Sequence, residues 1–549
     1  MGHPPPSTPK PPSRREFFRR SGGAALAASA LPLLPAAAAA AGPVFQHGVA
    51  SGDPLADRVI LWTRVSPAGG GSQVIADYVV AEDLALTQVV RSGSQRTTAQ
   101  RDWTLKVDVT GLQPGRSYYY RFGALGEVSP VGRTRTLPAA GVQRLRIAVM
   151  SCSNVPAGYF NVYRRVAERA DLDLVLHLGD YLYEYASGQY GSVRPAEPAQ
   201  EIITLSDYRT RHAQYKRDAD AQEMHRQHPM VPIWDDHEVA NDAWLRGAQN
   251  HDSATEGPWL ARRNNAIQAY YEWMPVREPA DRLRPQRNLR LGDLAELVML
   301  EERLSARSEQ LPAPIPVPGL GQGFVAKGRF LDPDRTLLGA TQEAWLAQTL
   351  VASTARWKLL GQGVMVAQLK ALGRSNADGG SLYVNPDQWD GYPPARDRLL
   401  DTLAAAGNVV VLTGDIHSAW ASDLTRDPNN PDADAGGYDP ASGRGSLAVE
   451  FITTSVSSPS LVPDPDGSLA RLVYSQNPHI KSVDLNHRGY LMLDLTLARV
   501  VGEQWIVDTV DVPSTGHAFV AAFEVQHGSN HLVRSAQTAP LANPPAPAP

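Results

Sequence analysis

Four times between residues 145 and 417, a short apolar run stops at side chains that can hold a metal ion. "LRIAVM" leads to Cys152, and "LDLVLHL" leads to Gly179-Asp180, with Tyr183 three residues on. "MVPIW" leads to Asp235-Asp236-His237-Glu238, then Asn241 and Asp242, while "NVVVLTG" leads to Asp415-Ile416-His417. Helical stretches such as "GYFNVYRRVAERA" (158–170) and "TQEAWLAQTLVAST" (341–354) separate such runs, which predicts α/β organisation. Ligands of open α/β sheets bind beyond the carboxyl ends of the strands. Four strand ends of this composition therefore predict one polynuclear metal site gathered from across the chain.

Each element alone has an ordinary explanation. An Asp after Gly at a strand end is often a turn residue or a helix cap. A single buried cysteine is usually a small core hydrophobe, and a tyrosine within "DYLYEY" is usually packing. The run Asp235-Asp236-His237-Glu238 is harder to dismiss, because three carboxylates beside an apolar strand are costly unless a cation offsets them. The ligand types divide into two sets. Cys152, Asp180, Tyr183 and His417 mix thiolate, carboxylate, phenolate and imidazole, which suits iron or zinc. Asp180, Asp236, Asn241 and Asp415 offer hard oxygens, which suit calcium, magnesium or manganese. Asp180 can serve both, since a carboxylate has two oxygens and can bridge.

Ahead of this region the pattern differs. "RVILWTRV" (58–65), "IADYVVAED" (75–83), "WTLKVDV" (103–109) and "YYYRFGA" (118–124) are short β-branched and aromatic runs separated by Gly, Pro and Asp. They predict a small all-β sandwich of the fibronectin III or immunoglobulin type over 43–138, with "RTRTLP" (133–138) as last strand and linker. The α/β core is expected over 144–512, closed by "LAVEFITTS", "RGYLMLDLTLARV" and "EQWIVDTVDV". Residues 513–549 are expected to form an extension with a disordered Pro-rich tail. The Pro- and Gly-containing segments 305–335 and 425–445 are candidates for covering the site.

The N-terminus has the layout of a twin-arginine signal over 1–42: "SRREFFRR" at 13–20, then an Ala/Leu-rich stretch ending in small residues. That run contains Pro32 and Pro35 and is barely long enough to span a bilayer, so stable membrane insertion is not expected. The expected location is secreted or periplasmic, with the twin-arginine translocase as export partner. Cys152 is the only cysteine, so no internal disulfide can form. A net charge of −5 gives no basic bias toward nucleic acid.

The segments "SCSN", "HLGDYLYEY", "IWDDHEVANDAW", "WKLLGQGVMVAQ", "DQWDGYP", "LTGDIHSAW", "EFITTSVSSPS" and "NPHIKSVDLNHRGY" resemble the PhoD-like alkaline phosphatases of the calcineurin-like metallophosphoesterase superfamily. "FQHGVASGDPLADRVILWTRV" resembles the N-terminal domain of that family, so the likeness spans about residues 44–512. It implies a metallophosphoesterase-type β-sandwich flanked by helices (αββα), and a phosphate ester as substrate. It also implies ligand roles: Cys152, Asp180, Tyr183 and His417 for iron (Fe3+), and Asp180, Asp236, Asp415 and Asn241 for calcium (Ca2+), with Zn2+ and Mn2+ as alternatives. His237 then contacts phosphate and protonates the leaving oxygen, with His237 and Asp180 as the catalytic pair. In many relatives an Asp-Thr-Arg-like segment follows the strand matching "AELVML"; here it reads Glu301-Glu302-Arg303. Arg303 is expected to bind substrate phosphate or to orient a ligand. "GQGVM" (361–365) lacks an Asn seen in many relatives.

The expected activity is hydrolysis of phosphomonoesters, phosphodiesters or both by a metal-activated water. A phospholipase D-like phosphodiesterase on the same fold is the enzymatic alternative, and a non-catalytic exported binding protein the remote one. The chain carries no Gly-rich phosphate loop and no Gly-x-Ser-x-Gly elbow.

Overall fold

Apolar side chains on both faces of a strand require cover on both faces, and this dictates the layering. The computed structural model describes residues 44–69, 71–460 and 462–549. Segment 1–42, with its twin-arginine motif, lies outside the described residues. The fold is mixed α/β with two large sheets, of ten and seven strands. In Arg144–Met150, Ile147 and Val149 point into one core and Ala148 and Met150 into another. The alternation follows from the two-residue period of a strand. The first core is shared with Leu297, Leu359, Val410 and Leu412, so the two large sheets pack face to face. Helices Asn161–Ala167, Leu205–Arg217, Ala219–Gln227 and Trp259–Trp273 cover the outer face of the ten-stranded sheet. Gly339–Ala352 and Pro393–Ala406 cover that of the seven-stranded one.

Arg144–Met150, Leu174–Leu178 and Pro229–Ile233 are parallel neighbours in the first sheet. Trp357–Gln362 and Val409–Thr413 are parallel neighbours in the second. All five end on the same side of the molecule, where a Cβ added at Gly414 would lie 2.9 Å from Ser151 Cβ and 3.0 Å from the Leu178 carbonyl oxygen.

Two expected boundaries differ in the structure. Within the expected 43–138 domain, the described residues do form two β layers around a core of Val59, Leu61, Val80, Tyr118, Tyr120 and Phe122. Only one layer, of five strands, is their own. The other, Val49–Gly52, Arg58–Arg64 and Thr104–Thr110, continues the ten-stranded sheet, because Ser51 and Gly52 pair in parallel with Pro229 and Met230. That pairing removes the open edge that Pro229–Ile233 would otherwise present. At the opposite edge, His517–Gln526 and Val533–Ser535 add two strands beyond the expected limit at residue 512. The Pro-rich tail is not disordered: its peptide groups have partners. Tyr119 Oη donates to the Ala546 carbonyl at 2.7 Å, and Ala548 exchanges hydrogen bonds with the Gln227 side chain at 2.9 and 3.0 Å. No helix among the described residues is long and apolar enough to cross a membrane.

Candidate metal centre

The strand ends turn sharply, and the turns aim the side chains. Cys152, Asp180, Asp415 and His417 all have left-handed backbone, with φ of 62°, 54°, 59° and 56°. Non-glycine residues adopt it at a cost of about 1–2 kcal/mol each, and such residues gather at active sites and ligand clamps. Gly179, at φ 97°, sits against Asp235, where an added Cβ would lie 2.3 Å from the Asp235 Cβ. Glycine is therefore required for the second and third strand ends to meet.

Three overlapping groups result. The Cys152 thiol, an Asp180 carboxylate oxygen and a His417 ring nitrogen lie within 4.8 Å of one another. So do Asp180, Asp236 and His237, and so do Asp235, Asp236 and Asp415. Tyr183 joins the first group, its Oη donating to Asp180 Oδ2 at 3.0 Å and lying 2.9 Å from His417 Nε2. The Asp180 carboxylate is common to two groups and Asp236 to two, so the sequence-derived residues converge on one chain of carboxylates. Asn241 is buried alongside; its backbone N–H donates to Glu184 at 2.8 Å and its side chain to Gln249 at 3.1 Å.

The electrostatics call for a cation. Burial, reinforced by Asp180, pushes the Cys152 thiol up. Burial also raises Asp180 and Asp235 well above the carboxylate range, with Asp236 adding to both shifts. Burial opposes ionisation of Asp236 too, yet Arg303 and His237 hold it below the usual value. Asp236 Oδ1 is buried without a hydrogen bond; its nearest ionic neighbour is Arg303 Nη2 at 3.6 Å. A buried, hydrogen-bond-deficient carboxylate oxygen within a cluster of thiol, phenol, imidazole and carboxylates fits one or more metal ions.

Arg303 does not face open space. It is fully buried, with Nε and Nη2 on Asp235 at 2.5 and 3.1 Å, Nη1 on Asp387 at 2.9 and 3.0 Å, and Nη2 on Asp415 at 3.2 Å. Of its two expected roles, this geometry serves the orientation of ligands. Glu301 caps the turn that presents it, accepting from the backbone N–H groups of Arg303, Leu304 and Ser305 at 2.6–2.9 Å and from Trp234 Nε1 at 3.0 Å. Glu302 accepts from the Gly363 N–H at 2.7 Å. The departure at 301–302 thus acts on the backbone.

Sequence reasoning missed three residues. Glu184 Oε2 lies 2.7 Å from His237 Nδ1, and Glu184 Oε1 accepts from Asn241 N and Asn250 Nδ2 at 2.8 and 2.9 Å. Asp387 anchors Arg303 and Arg307, and Gln388 Nε2 donates to Asp415 Oδ2 at 2.5 Å. All three lie within quoted motifs, "HLGDYLYEY" and "DQWDGYP", but only the folded chain shows their partners. Glu238 accepts from the N–H groups of Asp180, Tyr181 and Asp235 at 2.6–3.0 Å and so fixes two strand ends together. Of the two segments considered as covers, 305–335 reaches the rim through Gln310, which donates to Asp387 at 2.7 Å. Segment 425–445 instead contacts Ser375, Asn376 and Lys481.

Comparison with known proteins is consistent with this geometry. Residues 147–504 match the family model for the PhoD-like phosphatase, and residues 28–138 that for the PhoD-like phosphatase N-terminal domain. The chain is 36% identical over 512 residues to alkaline phosphatase D of Bacillus subtilis (strain 168), covering 90% of this chain and 83% of that protein. A solved structure of PhoD superposes with a TM-score of 0.79 at 33% identity, covering 93% of this chain and 95% of the other.

Proposed function

Since the chain belongs to the PhoD-like phosphatase family, and so is a phosphoric ester hydrolase, we propose that it is an exported, metal-dependent phosphatase acting on phosphomonoesters or phosphodiesters through the centre described above. The observation that carries this reading is the set of three overlapping ligand groups sharing Asp180 and Asp236. Cys152, Asp180, Tyr183 and His417 would hold iron. Asp180, Asp236, Asp415 and Asn241 would hold calcium, with zinc or manganese as alternatives. When bound, such ions polarise the phosphoryl oxygens and lower the pKa of a water to make the nucleophile.

The remaining work falls to the chain's own residues. Glu184 fixes the His237 ring through Nδ1, which leaves Nε2 to face a leaving oxygen. Burial opposes a charge on His237, but Asp236, Glu184 and Asp180 outweigh it and raise its pKa well above the usual value. A proton on that ring would be placed to pass to the departing alkoxide. Arg303 acts as a positioning residue, setting Asp235 and Asp415. The export part of the reading rests on the "SRREFFRR" segment alone.

The test is elemental analysis of the purified protein, with turnover of p-nitrophenyl phosphate and bis-p-nitrophenyl phosphate before and after EGTA. Iron near one per chain, with activity lost to EGTA and restored by Ca2+, is the expected result. Iron-free protein with full activity would overturn the iron assignment of Cys152. Turnover of neither ester by metal-loaded protein would overturn the enzymatic reading.

A further inference from the structure

Away from the metal centre, two sheet edges meet around a pocket of about 370 Å³, within the size range of small-molecule sites. One edge is Thr104–Thr110, the outermost strand of the ten-stranded sheet, and the other is Val89–Thr97, the edge strand of the five-stranded one. Residues 276–278 complete the wall. Pro229–Ile233, which leads to Asp235, stands three strand spacings from Thr104–Thr110, about 14 Å across the sheet. The pocket is therefore separate from the ligand groups of the centre.

Its apolar lining is Ile60, Leu105 and Val276, all buried. Its charged lining is Arg96, Arg101, Lys106 and Arg277, against only Asp108 and Glu278. Asp108 is already held, by Arg277 Nε and Nη2 at 3.2 and 3.0 Å and by Arg58 at 3.5 Å. Glu278 Oε1 pairs with Arg282, and its Oε2 lies 3.8 Å from Arg101 Nη2, beyond hydrogen-bond reach. Lys106 Nζ donates to the Val276 carbonyl at 3.0 Å and lies 5.7 Å from the centre of the Tyr271 ring, which leaves donors to spare on a three-donor ammonium. Burial lowers the Lys106 pKa to about 8, with Glu278 opposing the shift and Arg101 adding to it. An anion beside the ammonium offsets both costs.

We propose that this pocket binds a small organic phosphate, with its oxyanion on Lys106 and Arg101 and its carbon body against Ile60, Leu105 and Val276. Four cations against two carboxylates leave an excess that a phosphate dianion matches and a single carboxylate does not. Lysine holds phosphate as a point charge, and the arginine fork adds directed N–H groups. The site is one of binding, has no part in the reaction proposed above, and does not rest on that reading.

The experiment is calorimetric titration of the metal-loaded full chain with phenylphosphonate, whose carbon–phosphorus bond is not an ester, and with inorganic phosphate. Wild type is compared with Lys106→Met and with Arg101→Gln, an exposed position whose change leaves the core intact. Competitive inhibition of p-nitrophenyl phosphate turnover reports the metal centre alone. The expected result is a phenylphosphonate site beyond the one seen by inhibition, weakened about tenfold in each variant, with an unchanged inhibition constant. Inorganic phosphate is expected to bind there more weakly than phenylphosphonate, since it lacks the carbon body. A single site in wild type, full affinity in both variants, or affinity and inhibition constant changing together would overturn the proposal. Inorganic phosphate binding as tightly as phenylphosphonate would overturn the role of the apolar lining. The titration remains decisive even for protein that turns over no ester, so its failure and that of the phosphatase reading are distinct.

Discussion

A histidine serves as an acid only where something fixes which nitrogen carries the proton. For His237 that residue is Glu184, buried and 2.7 Å away. Glu184→Gln keeps the shape and removes the charge. It is expected to lower kcat about 10²-fold while KM and metal content stay near wild type, read by steady-state kinetics and elemental analysis. A loss of metal in parallel with activity would mean that Glu184 supports the ligands and not the acid. His237 itself was legible in the sequence as the histidine of an acidic strand end. Glu184 was not, because its partner lies 53 residues away and nothing local distinguishes it from packing within an aromatic run.

At the scale of elements, the centre depends on loops that meet with no spare volume. Trp357–Gln362 ends at Gly363, where an added Cβ would lie 2.7 Å from Asp235 Oδ1. Asp235 cannot easily give way, since Arg303 holds both of its oxygens. Gly363→Ala is therefore expected to cost about 1–3 kcal/mol, seen as a lower Tm, and to reduce bound metal. An unaltered Tm with full metal loading would show that the strand end can move. The same crowding accounts for glycine at 363 within "GQGVM". The apolar runs and their polar stops were legible one strand at a time. Which stops become neighbours depended on parallel pairing between strands far apart in the chain.

The whole molecule adds a dependence on pH that no single element shows. His47, His177, His212, His228 and His479 each have their pKa lowered to about 3, in every case chiefly by burial. A folded pKa below the unfolded 6.5 means that the stabilisation is complete above pH 6.5 and is lost as pH falls toward 3. At pH 5 one such histidine has given up about 2 kcal/mol. His228 is the clearest case. Its Nε2 lies 3.1 Å from the Val166 carbonyl and its Nδ1 3.2 Å from Arg133 Nη2, so a second proton would face a guanidinium. In His228→Gln, the loss of unfolding free energy between pH 8 and pH 5 is expected to shrink by about 2 kcal/mol, measured by urea denaturation at the two pH values. An identical pH dependence in the variant would exclude His228 as a contributor.

The sequence by itself determined the chemistry available: apolar runs of strand length, each stopped by a thiol, carboxylates, a phenol or an imidazole, in an α/β alternation. Strand length, alternation and stop residues are local properties, written in consecutive positions. Only the tertiary structure decided that the first β layer belongs to the main sheet, that residues 517–535 extend that sheet, and that the tail lies against Tyr119 and Gln227. It also decided that Arg303 pairs with Asp235, Asp387 and Asp415, carboxylates from three distant segments. Each of these is settled by which distant edge or charge must be satisfied once the cores are packed. That requirement has no signature in neighbouring residues.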